Sequence, residues 1–141
     1  MNNNCVFCRI IARELPASIV YEDETVIALM DIQPVNPGHV LVIPKSHHAS
    51  LRELPSKLGE DVFRVVKAVE KALWETPGIR CEGTNILQNN GHSAWQDVFH
   101  VHFHVIPRFE GDALRIKIPA NQTERADLDR ISQDISLHLT T

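Results

Sequence analysis

Long apolar runs are absent from this sequence. Its longest apolar stretches, such as Val40-Leu41-Val42-Ile43, are far short of the ~20 residues that a membrane-spanning helix needs, so no membrane partner is expected. Cysteine is scarce: three residues, an odd count and too few for a disulfide framework. A basic excess is missing too. Lys and Arg number 14 against 18 Asp and Glu, the formal charge is -4, and no basic run occurs. A nucleic-acid backbone is therefore not an expected partner. No Gly/Ser linker and no internal repeat divides the chain. The start, Met1-Asn2-Asn3-Asn4, has neither the charged nor the apolar region of a secretion signal, which points to a cytoplasmic protein. What is present is ordinary for one folded domain: 141 residues, 43% hydrophobic and 23% charged.

The chain reads as a single domain over 1–141, with a core at about 5–108 and a C-terminal extension carrying a helix at about 123–139. Phe7, Ile10 and Ile11 suit a short helix within Cys5–Leu15, ended by Pro16. Ile19–Tyr21 and Thr25–Met30 read as two strands joined by Glu22-Asp23-Glu24. Asp31–Gly38, with Pro34, Pro37 and Gly38, is loop chemistry, and Val40–Ile43 reads as a buried strand stopped by Pro44. Leu58, Val62, Val65, Val66, Val69 and Leu73 form one stripe on a long helix over Leu54–Thr76, ended by Pro77-Gly78. Thr84–Leu87 and Val98–Pro107 read as further strands. Leu128, Ile131, Ile135 and Leu139 mark one face of the terminal helix. This order predicts an α+β fold: an antiparallel sheet with the long helix packed on it.

The eight histidines are the informative feature. In His100-Val101-His102-Phe103-His104-Val105-Ile106 the strand period of two puts the three imidazoles on one face and the apolar residues on the other. Imidazole nitrogens need partners, so that face is no plain core. Three readings compete: a solvated His-rich face, a catalytic metal held by all three rings, or nucleophilic and acid–base work on an anionic substrate.

The pattern resembles the histidine triad family, named for alternating histidine and apolar residues. Three more segments match in family order: Phe7-Cys8-Arg9-Ile10-Ile11, Met30-Asp31-Ile32-Gln33-Pro34, and Asn36-Pro37-Gly38-His39-Val40-Leu41-Val42-Ile43-Pro44-Lys45-Ser46-His47. The resemblance implies a homodimer, with an antiparallel sheet in each subunit. It also implies hydrolysis or transfer of a nucleoside monophosphate from a conjugate with a leaving group on the α-phosphate, as in phosphoramidases and dinucleoside polyphosphate hydrolases. His102 falls at the nucleophile and would carry a nucleotidyl-histidine intermediate. His104 would donate to the phosphate, and His39 would orient the nucleophile. Asn89 and Gln96 fall at positions that contact the phosphate or leaving group. Asp31 would accept from ribose hydroxyls, and Phe7, Ile10, Met30 and Ile32 would line a slot for a purine base. Trp95 stands where the family has glycine, and Asp97 where it has a hydroxyl residue. These two departures touch the substrate side and also favour an alternative: a nucleotide-binding regulator or adaptor of the same fold with weak catalysis.

Cys5-Val6-Phe7-Cys8 is a C-x2-C pair, which can be half of a zinc site. The resemblance implies a structural zinc on Cys5, Cys8, His47 and His100, with His48 a rival ligand to His47. The competing reading is two reduced thiols in a dry core. Cys81 and His138 have no assigned task, and His92 lies in the loop before the triad.

Overall fold

The computed structural model describes Asn2 and residues 4–141. Met1 and Asn3, part of the polar start, lie outside the described residues. A short helix α1 (Val6–Ile11) precedes strands β1 (Ile19–Glu22), β2 (Val26–Met30) and β3 (Val40–Pro44). The long helix α2 (Ser56–Glu75) follows, then β4 (Gly83–Leu87), β5 (Phe103–Arg108) and the terminal helix α3 (Arg125–Ser136). The five strands form one sheet in the order β1-β2-β3-β5-β4, and every neighbouring pair is antiparallel.

The sheet is covered on both faces in its centre, because β2 and β3 are apolar at every position. Val26, Ala28, Val40, Val42 and Val105 meet Val62, Val65, Val66, Val69 and Leu73 of α2. The odd-numbered partners Ile27, Leu29, Leu41 and Ile43 face the other way and meet Cys5, Phe7, Cys8 and Ile10. Continuous apolar strands are what a sheet buried on two sides requires. The i, i+3, i+4 stripe of α2 gives it one dry face, as the sequence predicts.

Two expectations change. The strand expected over Val98–Pro107 is ordered as a ladder only from Phe103. The β3–β5 register runs Val40↔Val105, Leu41↔His104 and Val42↔Phe103. Two steps further it would need a donor from Pro44, which has no N–H. Pro44 instead offers its carbonyl to the ring of His100 at 2.8 Å. Val101 N–H leaves the ladder direction and donates to the His48 carbonyl at 2.7 Å. The second change concerns α3. Leu128, Ile131, Ile135 and Leu139 do lie on one stripe, but all four are exposed among the described residues.

Candidate active site

His39, His102 and His104 converge beside a slot of about 340 Å³ between α1 and the sheet. Phe7, Ile10, Leu15 and Leu41 give it apolar walls, and Asp31, Asp97, His102 and His104 supply its polar groups. That mixture is typical of a small-molecule site. The rings of His102 and His104 stand 5.0 Å apart, edge to face, and Phe7 packs 5.1 Å from His102.

The hydrogen bonds decide the protonation of each ring. His102 Nδ1 lies 2.7 Å from the carbonyl oxygen of His100. A carbonyl only accepts, so Nδ1 carries the proton. The Nε2 atom of the neutral ring then keeps its lone pair, and His102 is a wall of the slot. A second chain of bonds sets His104. The Val35 N–H donates to His39 Nδ1 at 3.1 Å, so that nitrogen is bare. His39 Nε2 therefore bears the proton and donates to His104 Nδ1 at 2.9 Å. His104 Nδ1 is thus an acceptor, which leaves its Nε2–H free to donate. The two neighbouring triad rings end up opposite in character: a bare nitrogen on His102 and a proton on His104.

Burial keeps the His39 and His104 rings neutral. The His104 pKa is pushed down to about 4, by desolvation first and then by the neighbouring His102 and His39 imidazoles. Desolvation also pushes His39 down, against the attraction of the Asp31 carboxylate. Asp31 Oδ2 sits 3.5 Å from His39 Nε2, and Asp31 Oδ1 accepts from the Gln33 N–H at 2.8 Å.

His100 points elsewhere. Its Nε2–H donates to the Pro44 carbonyl, and its Nδ1 lies 3.4 Å from Cys5 Sγ, 3.7 Å from Cys8 Sγ and 3.2 Å from His47 Nδ1. Cys8 Sγ lies 3.4 Å from His47 Nδ1. A zinc tetrahedron with bonds of ~2.3 Å to sulfur and ~2.0–2.1 Å to nitrogen has edges of roughly 3.3–3.8 Å. The observed separations match that figure. The Pro44 carbonyl holds the far side of the His100 ring, as an outer partner of a metal ligand does. Burial pushes the Cys5 thiol up, so a thiolate there calls for a cation beside it. The group can hold a metal. His47, not His48, supplies the fourth donor; the His48 ring stands against Ser46 instead.

Asp31, His39 and His104 form a second cluster close enough to hold an ion. Its proton arrangement argues otherwise. With Nδ1 accepting from Val35, His39 Nε2 must keep its hydrogen and has no lone pair to offer. The closeness of the three groups is that of a hydrogen-bond relay. The reading of one metal on all three triad rings also lapses, since His100 turns away to the cysteines.

Several predicted site residues lie off the slot. Gln96 is buried, and its amide is spent on the loop: Oε1 accepts from Gly91 N–H at 2.8 Å, while Nε2 donates to the Ala49 and Val98 carbonyls. Trp95 is 77% exposed, and the Asn89 amide donates to its carbonyl. Neither Asn89 nor Trp95 lines the slot. Ile32 stands at the rim, 92% exposed, so it adds little apolar wall. Met30 touches the slot but packs also against the α2 side of the core. Two contributors could not be named from the sequence: the Val35 amide, and the particular carbonyl, that of His100, which holds the His102 ring. Both are backbone groups, and no residue type announces them.

The family model for the HIT domain matches residues 12–111. The chain belongs to the histidine triad family. Among its histidine triad relatives, an uncharacterized HIT-like protein of Methanocaldococcus jannaschii is 43% identical over 131 residues, covering 93% of this chain and 98% of the relative. Adenosine 5'-monophosphoramidase HNT1 of Saccharomyces cerevisiae is 38% identical over 132 residues, covering 93% and 80%. The crystal structure of a HIT family member from Bacillus subtilis superposes with a TM-score of 0.92 at 39% identity, over 99% of each chain. A zinc-bound histidine triad protein from Mycobacterium smegmatis superposes with a TM-score of 0.75 at 37% identity, over 93% of this chain and 97% of that one.

Proposed function

We propose that this histidine triad protein cleaves nucleotide conjugates at the α-phosphate, with His102 as nucleophile. The observation that carries the reading is the tautomer of His102: its Nδ1–H is tied to a carbonyl and its ring borders the slot. The bare Nε2 attacks phosphorus, the bond to the leaving group breaks, and that group departs with the electron pair. Water then displaces the imidazole from phosphorus, releasing the nucleoside monophosphate and one proton. His104, protonated on Nε2 by the relay from Val35 through His39, donates to a non-bridging oxygen as charge builds there. Asp31 receives the ribose hydroxyls, and Phe7, Ile10 and Leu41 sandwich a purine base. Asp97, exposed and on the slot wall, faces the leaving group. Gln96 acts one step removed, by holding the Gly91–Asp97 loop in shape.

The name of the yeast relative, a monophosphoramidase, supports adenosine phosphoramidate as a first substrate. Zinc is the metal we assign to Cys5, Cys8, His47 and His100. Four protein donors close the tetrahedron, so its contribution is structural. We assign a homodimer as the working form; the bare apolar stripe of α3 and the exposed Phe63 and Trp74 of α2 support it.

His102→Ala is the test. Turnover of adenosine 5'-phosphoramidate should fall by at least about a thousandfold, since the covalent route is lost. The circular dichroism spectrum and affinity for adenosine monophosphate should persist. Wild-type-like rates in this variant would refute the assignment.

A further inference from the structure

Asn36 carries a polar side chain that the site's chemistry leaves unused. It is buried, whereas its loop neighbours Ile32, Gln33, Pro34 and Pro37 are exposed. Its backbone carbonyl accepts from the His39 N–H at 3.1 Å. Pro37 and Gly38 stand between them, Gly38 at φ 100°, so Asn36–His39 is a type II turn that delivers His39 to the start of β3. Both amide hydrogens of Asn36 are bonded: Nδ2 donates to the Pro107 carbonyl at 2.9 Å and to Asp112 Oδ2 at 2.8 Å.

Asp112 is a firm anchor for that amide. It is buried, and Arg108 grips its carboxylate through Nε and Nη2. Its own N–H donates to the Phe109 carbonyl at 3.1 Å, and Arg115 adds a second cation 3.9 Å from Oδ1. Arg108 in turn donates to the Asn85 side chain on β4 and to the Leu114 carbonyl. Asn36 thus ties the loop before β3 to the end of β5 and the turn beyond it.

What this tie holds in place is the neighbouring Val35 N–H, which donates to His39 Nδ1 at 3.1 Å. A proton on that nitrogen would leave two donors facing each other in a buried site, which disfavours that tautomer by about tenfold or more. The bias lasts only while Val35 stays where it is. His39 passes the result on to His104 Nδ1 at 2.9 Å. The His102 ring is set by a different contact, the His100 carbonyl.

We infer that Asn36 is a positioning residue: through its bonds to Pro107 and Asp112 it keeps the proton on His39 Nε2 and so leaves the His104 Nε2–H free to donate. Its consequence for turnover rests on the α-phosphate chemistry proposed above, whereas the proton arrangement itself does not.

Nitrogen NMR of the isotope-labelled full chain, without nucleotide, reads each imidazole nitrogen as protonated or bare. In the wild-type protein Nδ1 should be bare on His39 and His104 and protonated on His102. In Asn36→Ala the Nδ1 and Nε2 signals of His39 and His104 should move toward each other as two tautomers come to exchange, while those of His102 stay. Asn36→Ser, which keeps one donor, should move the same two rings by less, and it serves as the test where the alanine variant does not fold. Asn85→Ala removes a partner of Arg108 but neither acceptor of Asn36, so it should leave all three rings as in the wild type. With adenosine 5'-phosphoramidate, Asn36→Ala should lower kcat by about tenfold and change KM by less than about threefold. Unmoved His39 and His104 signals in the Asn36 variants, or equal movement of all three rings, overturns the assignment. Absent turnover by the wild-type protein sinks the proposed chemistry instead, and the nitrogen signals still decide the role of Asn36.

Discussion

Trp95 shows what one residue's backbone can reveal. It has φ of 66° and lies in the left-handed region, which L-residues enter at a cost of roughly 1–2 kcal/mol. The family resemblance places a glycine at this position, and the geometry supplies the reason. Trp95 is mostly exposed, so its ring returns little burial for that strain. Trp95→Gly should therefore stabilise the protein by about 1 kcal/mol, read as a higher midpoint in urea with an unchanged slope. Gly38 is the opposite case. At φ 100° a Cβ would also meet Ile79 and Pro107 at 3.2 Å, so glycine is required just before His39. Both positions were readable as unusual in the sequence, Gly38 from its Pro-Gly context and Trp95 from the resemblance, but the dihedral that explains them was not.

At the scale of elements, α1 is the weak member. It has six residues, no side-chain cap and no acidic first turn, and a helix this short does not persist alone. Two things hold it: Phe7, Cys8 and Ile10 in the core, and the Cys5–Cys8–His47–His100 group that joins it to the segments after β3 and before β5. Because α1 forms a wall of the slot, the cluster and the slot are mechanically linked. Cys8→Ser should release one zinc per chain by metal analysis and lower stability by on the order of several kcal/mol, with thermal unfolding as the measurement. Unchanged metal content would remove the zinc assignment. The same cluster explains why the triad is not three equivalent histidines. The end of pairing at Pro44 lets His100 swing to the cysteines while its carbonyl stays behind to orient His102.

Across the whole molecule, the buried neutral imidazoles couple stability to pH. The His104 pKa is about 4 in the folded protein, against 6.5 for the free side chain. Between these values the unfolded chain takes up a proton that the folded chain refuses. Stability from this group is therefore undiminished above about pH 6.5 and declines as pH falls toward 4. Replacing His104 with Gln should flatten that limb of the melting-temperature profile. The salt-bridged carboxylate of Asp112, held well below its ordinary range by Arg108, loses its contribution only at still lower pH, so the two effects separate. A profile with the same slope in the Gln variant would remove His104 as its source.

Composition, periodicity and motif order were enough for the α+β architecture, the α2 stripe, the paired central strands and the alternation of the three triad histidines. Those features depend on which side chains stand at a repeat of two or of 3.6, and a one-dimensional pattern holds them in full. Which ring faces which partner depends on backbone carbonyls and amides brought together from distant segments: Pro44 with His100, Val35 with His39, Ala49 with Gln96. Every residue carries those same backbone groups, so only the folded chain could select the few that assign a proton to one imidazole and a lone pair to its neighbour.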